Sequence, residues 1–260
     1  MPDWRGGVDF GRAADDYARH RAGFPDSFFA HLAEQDIAHA DARALDLGTG
    51  TGTVARGLAR LGLSVTGLDP SDELRGQAIR LDGEAGVSVE HVSGRAEDTG
   101  LAEANFELVT AGQCWHWFDR PRAAAEALRI LKPGGLLVIA HFDWLPLPGN
   151  VVAATERLIR WHNPEWSYHS GTGIYPTWYT DLRAGGFVGV RGFSYDEDVP
   201  YARADWRGRI RASAGIAASL AADAVTRFDA DHRAMLERDF PADPLIIPHC
   251  VSAVIGVKPG

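Results

Sequence analysis

Short apolar segments alternate along the first half of the chain with stretches in which apolar residues recur at helical spacing. Residues 42–47 form one apolar segment, and glycine and threonine occupy the next five positions. Val54, Ala55, Leu58 and Leu61 then fall on one face of a helix. This pattern predicts a strand, a glycine turn and a helix, in that order.

The same alternation continues to residue 141. It predicts further strands at 64–68, 87–92, 106–111 and 136–141, and helices that begin after residue 70 and cover 121–131. Ser71 is a candidate N-cap, because its hydroxyl can accept from an unpaired amide of the first turn. Strands that alternate with helices pair in parallel, so the pattern predicts an α/β fold with a doubly wound, Rossmann-like sheet.

The pattern changes after residue 143. A proline- and glycine-containing break precedes a predicted helix over 151–161, and an aromatic loop covers 162–175. A short helix at 177–184 and strands near 188–195 and 251–257 follow, with a mostly helical passage between the two strands. The late strands predict an antiparallel edge that completes a mostly parallel sheet of seven strands.

The charge balance narrows the classes of partner. Lys plus Arg number 26 against 35 Asp plus Glu, which gives a net charge of −9, and no basic run interrupts this balance. A sequence-independent grip on nucleic acid or anionic lipid is therefore disfavoured. No apolar run reaches the roughly 20 residues of a membrane span, and the first residues lack the apolar block of a secretory signal. We expect a cytoplasmic protein with no nucleic-acid or membrane partner.

Cysteine and histidine spacing indicates neither a disulfide framework nor a metal centre. Cys114 and Cys250 are the two cysteines of the 260-residue chain. We expect both to be buried small side chains. The histidines show no ligand spacing for zinc, so no metal is expected.

Candidate chemistry begins at the glycine turn. Gly48, Thr49 and Gly50 let the backbone approach a ligand closely, and Asp69 stands at the end of the next strand, where a carboxylate can bind both hydroxyls of a ribose. Thr53 replaces the third glycine of the dinucleotide fingerprint, which weakens a nicotinamide interpretation. Asp46 would repel phosphate and suits a cofactor with an amino group and a positive sulfur. Alternatively, it only ties down the turn through backbone amides.

These residues resemble the class I S-adenosylmethionine-dependent methyltransferases, in particular their small-molecule branch (methyltransferase type 11-like). Residues 45–52, LDLGTGTG, are similar to the first motif of that family. In order along the chain, 93–98 resemble the loop after the third strand, 106–113 the fourth-strand motif, and 131–135 the turn into the fifth strand. An ordered set of matches is more specific than any single motif.

The resemblance implies S-adenosylmethionine as cofactor. Asp69 would hold the ribose diol, and the Ala96 amide and Glu97 would lie near adenine. Arg95 stands where the family often has an acid, which leaves the contact to the adenine amino group open. The implied cofactor-binding residues are Asp46, Gly48, Thr49, Gly50, Asp69, Pro70, Arg95, Ala96, Glu97 and Gln113.

Residues 10–25 match the family's N-terminal cap helix more loosely. This match would add Tyr17 as a wall of the cofactor site and Arg21 as the partner of the methionine carboxylate. The alternative is a solvated amphipathic helix. We expect a single domain, 1–260. It would consist of a cap (1–40), a cofactor-binding core (41–143) and helical insertions that form a lid over substrate (144–186 and 201–244).

Methyl transfer is an in-line displacement that requires alignment of donor and acceptor and exclusion of water. His116 follows the fourth strand and is the candidate general base, with a packed, orienting histidine as the alternative. Aromatic and histidine side chains at this sheet edge are candidates for acceptor binding, and packing in the core is the alternative for each. They are Trp115, Trp117, His141, Trp144 and Tyr175.

The resemblance implies methyl transfer to a small, partly apolar metabolite, by a monomer or homodimer. Two other functions stay open: an S-adenosylmethionine-binding protein with a different activity, and a nicotinamide-dependent reductase. A methyltransferase for tRNA or protein conflicts with the charge of −9 and with the missing basic patch.

Overall fold

The computed structural model describes residues 23–167, 169–213, 215–217 and 219–260. Tyr17 and Arg21, and most of the expected cap, lie outside the described residues. The strands are β1 (Arg43–Leu47), β2 (Ser64–Leu68), β3 (Glu90–Val92), β4 (Phe106–Gly112), β5 (Leu131–Trp144), β6 (Val188–Tyr201) and β7 (Leu245–Val257). The helices are α1 (Asp26–Glu34), α2 (Thr53–Arg60), α3 (Asp72–Ala85), α4 (Arg120–Ile130), α5 (Val151–His162), α6 (Pro176–Ala184), α7 (Arg203–Arg211) and α8 (Ala222–Asp239), with a 3₁₀ turn at Trp115–Trp117.

The strands form one seven-stranded sheet in the order β3-β2-β1-β4-β5-β7-β6. Strands β1 to β5 pair in parallel, and Asp46 of β1 lies opposite Gly67 of β2 and Thr110 of β4. The prediction of a doubly wound, mostly parallel α/β sheet is confirmed. The strand order reverses between β1 and β4, and this reversal creates the crevice where folds of this kind bind ligands.

Local signals set the helix ends. Ser71 caps α3, since its hydroxyl accepts from the Leu74 amide at 3.2 Å. Asp119 caps α4, and a proline occupies the first turn of that helix, where its missing N–H costs no hydrogen bond. Gly86 ends α3 in the left-handed conformation, with φ of 67°.

Two strand lengths differ from the predicted ones for tertiary reasons. Strand β3 starts at Glu90 rather than Val87, because the Val87 amide donates to the Asp82 carbonyl at the end of α3. Strand β5 starts at Leu131 rather than Leu136, and its pairing with β4 shifts register between these two residues. The glycine turn inside β5 is accommodated by backbone hydrogen bonds to Lys258, at 3.0 and 2.8 Å.

Contacts divide the chain into two compact units. The core unit comprises the described residues through Phe142, with Tyr175–Ser194 and Val251–Gly260, and the helical unit comprises Asp143–Ile174 and Tyr195–Cys250. The division of the single domain into core and lid insertions stays a prediction.

Each unit has buried apolar side chains of its own. In the core unit, α4 and α6 contribute to one cluster with the sheet, whose members include Val109, Trp115, Ala127, Leu137 and Leu182. In the helical unit, α5, α7 and α8 bury Ile159, Trp206, Ile210 and Phe228. Cys114 and Cys250 are both buried, as expected. Within the described residues, no helix combines the length and apolar composition that crossing a membrane requires.

Candidate functional site

The glycine turn lies at the carboxyl end of β1. Gly48, Gly50 and Gly52 have φ of 61°, 55° and 79°, a region that other residues rarely adopt. A Cβ on Gly48 would lie 3.1 Å from both the Cys114 sulfur and the Phe118 ring. Among the described residues, a Cβ on Gly50 would meet nothing nearer than the Gly48 carbonyl oxygen, at 4.0 Å. The turn therefore presents bare backbone at Gly50.

Asp69 follows β2 and faces this turn. Its side chain is 7% exposed; Oδ2 accepts from the Gly50 amide at 2.9 Å, and Oδ1 accepts from the Ser71 amide at 2.9 Å. Burial raises the pKa of the Asp69 carboxyl, against the opposing effect of the two amides and of Arg75. Because an ionised carboxylate offers about four acceptor positions, each oxygen keeps one for a ligand hydroxyl.

Thr49, Pro70 and Gln113 complete this edge of the sheet. The Thr49 amide donates to the Leu68 carbonyl at 3.0 Å, and Pro70 is exposed directly after Asp69. Gln113 has φ of 62°; its amide donates to the Ala140 carbonyl at 2.9 Å, and its side-chain nitrogen donates to the Phe142 carbonyl. A non-glycine residue with such a φ is held there by its surroundings, and functional sites often contain one.

Asp46 lies inside β1 and is 2% exposed. Its Oδ1 accepts from the Thr110 hydroxyl at 2.7 Å, and the Ala55 amide also donates to its carboxyl. Burial raises the pKa of Asp46 to about 6, and the charge of Asp69 adds to this rise. These contacts join Asp46 to β4 and to the first turn of α2. Both interpretations of Asp46, hydrogen bonds to the amides of the glycine turn and contact with a cofactor amino group, stay predictions.

The raised pKa of Asp46 predicts a pH-dependent stability. The folded chain holds this proton more tightly than the unfolded chain, so the stabilisation is complete below pH about 4 and is lost as the pH rises through about 6. The loss corresponds to about 3 kcal/mol. In urea unfolding of the ligand-free chain, the free energy of unfolding of Asp46→Asn is expected to lack this decrease with rising pH. Asp36→Asn is the control, because Asp36 is 94% exposed. If the free energy of unfolding of Asp46→Asn decreased with pH in parallel with that of the unsubstituted chain, the assignment would be contradicted.

The loop after β3 brings together three predicted residues. Ala96 is 3% exposed, Arg95 Nε lies 3.5 Å from Glu97 Oε2, and Glu97 Oε1 accepts from the Asp119 amide at 2.9 Å. Glu97 therefore joins this loop to the start of α4. Contacts of the three residues with adenine stay predictions.

The candidate base lies in the 3₁₀ turn after β4. His116 is half-buried, and its ring centroid lies 4.6 Å from that of Trp117 and 5.9 Å from that of His141. Trp115 has no exposed surface, and its indole N–H donates to Asp181 Oδ2 at 3.1 Å. This burial favours a core role for Trp115, and its contact with an acceptor stays a prediction.

His141 is part of an aromatic group at the end of β5. It is 1% exposed, its ring lies 4.0 Å from that of Tyr175, and the Tyr175 and Trp178 rings stack at 5.4 Å. The Trp178 indole N–H donates to His141 Nε2 at 3.0 Å. Because an indole can only donate, Nε2 of His141 is the acceptor in this hydrogen bond.

Trp178 and Asp181 are not among the residues predicted from the sequence. Asp181 also binds Arg120, whose guanidinium lies 5.4 Å from the centroid of the Trp178 ring. The two residues are three positions apart on α6, a spacing that places them on one helix face. That spacing was the available signal, and nothing local connects it with β4 and β5.

Trp144 belongs to the helical unit. Its indole N–H donates to Glu156 Oε1 at 3.0 Å, and its ring meets that of Trp206 edge-on at 5.5 Å. A role for Trp144 in acceptor binding stays a prediction.

A methyltransferase family matches the part of the chain that contains this site. The family model described as "Methyltransferase domain" matches residues 45–139. An uncharacterized methyltransferase of Mycobacterium tuberculosis is 35% identical over 132 residues, which are 50% of each chain. The chain thus spans about half the length of the curated relatives it matches.

Solved structures share the fold at low sequence identity. The YcgJ protein of Bacillus subtilis is 20% identical, with a TM-score of 0.58 and coverage of 91% of this chain and 100% of that one. The phosphoethanolamine N-methyltransferase 2 of Haemonchus contortus, solved in complex with S-adenosyl-L-methionine, is 18% identical with a TM-score of 0.55. Its match covers 96% of this chain and 57% of the other.

Proposed function

We propose that this chain, a member of the class I S-adenosylmethionine-dependent methyltransferase family, transfers a methyl group from S-adenosylmethionine to a small-molecule acceptor. The observation that carries the proposal is the placement of the Asp69 carboxylate against the bare backbone of Gly50, at the sheet edge where the strand order reverses. This arrangement fits a ligand that carries a ribose diol next to a part that needs close backbone approach.

The core unit holds the groups for the donor side. Asp69 would accept the two ribose hydroxyls, and the glycine turn would contact the remainder of the ligand through its backbone. S-adenosylmethionine supplies an electrophilic methyl group on a sulfonium. No phosphate-binding group is required of this site, which agrees with the buried acid Asp46 beside the turn.

On the acceptor side, His116 and His141 are proposed to have different roles. Nε2 of His141 already accepts from Trp178, so this histidine is suited to positioning and not to proton abstraction through that atom. His116 lies on the half-buried 3₁₀ turn and is the proposed base. The aromatic group around His141 would help to exclude water from the reaction.

The acceptor is proposed to be a small molecule and not a nucleic acid. The net charge of −9 supports this choice, because a protein that binds nucleic acid through its phosphates needs a basic surface. The cytoplasmic location and the monomeric or homodimeric state stay predictions.

Asp69→Asn is expected to weaken binding of S-adenosylhomocysteine by about 1.5–3 kcal/mol, the range for hydrogen bonds to a charged group. This corresponds to a loss of roughly ten- to hundredfold in calorimetric affinity. Asp72→Asn is the matched control, three positions further along the chain, with a side chain that is 87% exposed. An unchanged affinity in Asp69→Asn, at unchanged secondary structure, would remove Asp69 from the cofactor site.

The activity itself is tested with labelled S-adenosylmethionine and a low-molecular-weight metabolite extract. Mass spectrometry is expected to detect a product that has gained one methylene, together with S-adenosylhomocysteine. Binding of S-adenosylhomocysteine without any methylated product would contradict methyl transfer and would favour a cofactor-binding protein with another activity.

A further inference from the structure

Three buried polar side chains from α2, α3 and β3 form a continuous chain of hydrogen bonds in the core unit. Arg56 Nη1 donates to Asp82 Oδ1 at 2.5 Å, and Asp82 Oδ2 accepts from His91 Nε2 at 2.7 Å. The side chains of Arg56, Asp82 and His91 are 12%, 6% and 2% exposed, in that order. Charged side chains are rarely buried unless they are paired, and these three residues, the Arg56 cluster, pair with one another.

The cluster reaches the glycine turn through the second nitrogen of Arg56. Nη2 donates to the Thr51 carbonyl at 3.0 Å. Gly52 packs on the same guanidinium, because a Cβ at this position would lie 3.2 Å from Arg56 Nη1. A guanidinium is planar and rigid, so its two nitrogens together hold the Thr51 carbonyl in a fixed direction relative to α3.

The turn is therefore held at two consecutive residues. The Gly50 amide donates to Asp69 at the proposed ribose-binding edge. The next residue, Thr51, accepts from Arg56 through its carbonyl. Because glycine loses more conformational freedom on ordering than any other residue, a turn rich in glycine needs outside contacts to keep one conformation. Arg56 supplies one of these contacts.

A glycine in β2 makes room for the far end of the cluster. Gly67 lies opposite His91 in the pairing of β2 with β3. A Cβ on Gly67 would lie 3.1 Å from His91 Nδ1 and 3.0 Å from Thr49 Oγ1, closer than a Cβ ordinarily approaches its neighbours. The missing side chain lets the imidazole lie against β2 with Nε2 directed at Asp82. His91 thus holds one carboxylate oxygen of Asp82, and Arg56 holds the other.

The stability of the fold does not by itself account for a buried ion pair. The cost of removing two charges from water is often as large as the attraction between them, and apolar side chains of similar volume can be equally stable in their place. A buried ion pair also supplies direction, because its hydrogen bonds form in one geometry. Here the direction is that of the Thr51 carbonyl, next to the backbone that faces Asp69.

We propose that Arg56, held by Asp82 and His91, is a positioning residue for cofactor binding, which keeps residues 50–52 of the glycine turn in the conformation that binds the cofactor. It acts through the Thr51 carbonyl and not through a contact with the ligand. The inference rests on the proposed function, since the affinity that it concerns is that for S-adenosylmethionine and S-adenosylhomocysteine. The order of the turn can be measured without any ligand.

Amide hydrogen exchange of the ligand-free full chain tests this order. In Arg56→Met, the Gly50 and Gly52 amides are expected to exchange at close to the rate of an unstructured peptide. The Val109 amide, in a strand paired on both sides, reports unfolding of the whole core and is expected to stay protected. If the turn amides exchanged as in the unsubstituted chain, or accelerated only by the factor seen at Val109, the proposal would be overturned.

Calorimetry with S-adenosylhomocysteine tests the consequence for binding. A turn that is in its binding conformation for only about one tenth of the time lowers the apparent affinity about tenfold, and this loss is expected in Arg56→Met. Arg207→Met is the matched control, because Arg207 binds Asp229 through two nitrogens in the helical unit. It is expected to keep the affinity of the unsubstituted chain. Unchanged affinity in Arg56→Met, or an equal loss in both variants, would overturn the proposal.

A double variant keeps the test decisive if Arg56→Met folds poorly. Arg56→Met combined with Asp82→Leu leaves no carboxylate buried without its cation, so it is expected to melt at or above the temperature of the single variant. Its turn amides are expected to exchange as in Arg56→Met, and protection equal to that of the unsubstituted chain would overturn the proposal. If the unsubstituted chain does not bind S-adenosylhomocysteine, the proposed function fails, and the exchange measurement still decides whether Arg56 positions the turn.

Discussion

Replacement of His116 by alanine is expected to lower the turnover of the proposed reaction by about 10²–10⁴-fold, the contribution of a positioned general base. The ring lies at the end of β4 with His141 5.9 Å away, and it is half-buried rather than sealed in the core. A histidine accepts a proton only in its neutral form, so the wild-type rate is expected to depend on pH. Steady-state kinetics over pH, with calorimetry of S-adenosylhomocysteine in parallel, make the measurement.

Cofactor affinity is expected to stay within a few-fold in His116→Ala. His39→Ala is the control, because the His39 side chain is 51% exposed and, among the described residues, its hydrogen bond is a local one to Asp36, at 3.0 Å. A few-fold loss of rate would assign His116 to positioning of an already reactive acceptor. Weaker cofactor binding at full turnover would instead place this histidine in the cofactor wall.

The different roles of the two histidines could not be predicted from the sequence. His116 and His141 both follow predicted strands and both had a packed alternative. The hydrogen bond from Trp178 to His141 joins residues 37 positions apart, and no local pattern indicates it. Its consequence is chemical, because Nε2 of His141 already accepts a hydrogen bond and is not available to take a proton from an acceptor.

The proximity of the residues at the proposed cofactor site, in contrast, could be predicted from the strand pattern. Once β1 and β2 are adjacent and parallel, the residues after their carboxyl ends must lie side by side, and Gly50 and Asp69 meet at 2.9 Å. The glycine turn could be predicted because glycine adopts backbone conformations that other residues rarely adopt. The ends of β3 and β5 could not be predicted, because they depend on residues distant from these strands in the sequence. The Asp82 carbonyl accepts from the Val87 amide before β3, and Lys258 pairs with the glycine turn inside β5.

The placement of the aromatic residues also depended on tertiary structure. Trp115, Trp117 and Trp144 look alike in the sequence, as aromatic residues near strand ends. In the structure Trp115 has no exposed surface, Trp117 is half-buried, and Trp144 lies in the helical unit with the Arg209 guanidinium over its ring. Which of them is core is a property of the packing against α6 and α7, and the sequence pattern does not contain it.

Trp115→Ala is therefore expected to be among the most destabilising substitutions of the core unit, by about 3–5 kcal/mol in urea unfolding. The substitution leaves a cavity between the sheet and α6 and removes the donor from Asp181, which keeps Arg120 as a partner at 3.0 Å. Trp115→Phe fills most of the cavity but lacks the indole N–H, so an intermediate loss is expected.

Trp161→Ala provides the comparison, because Trp161 is 81% exposed and its removal is expected to change the free energy of unfolding by less than about 0.5 kcal/mol. A loss of stability in Trp115→Ala as small as that of Trp161→Ala would contradict the core role. If such a variant also lost acceptor binding, the result would return Trp115 to the substrate wall, since a side chain that contributes little to folding but much to binding must face the ligand.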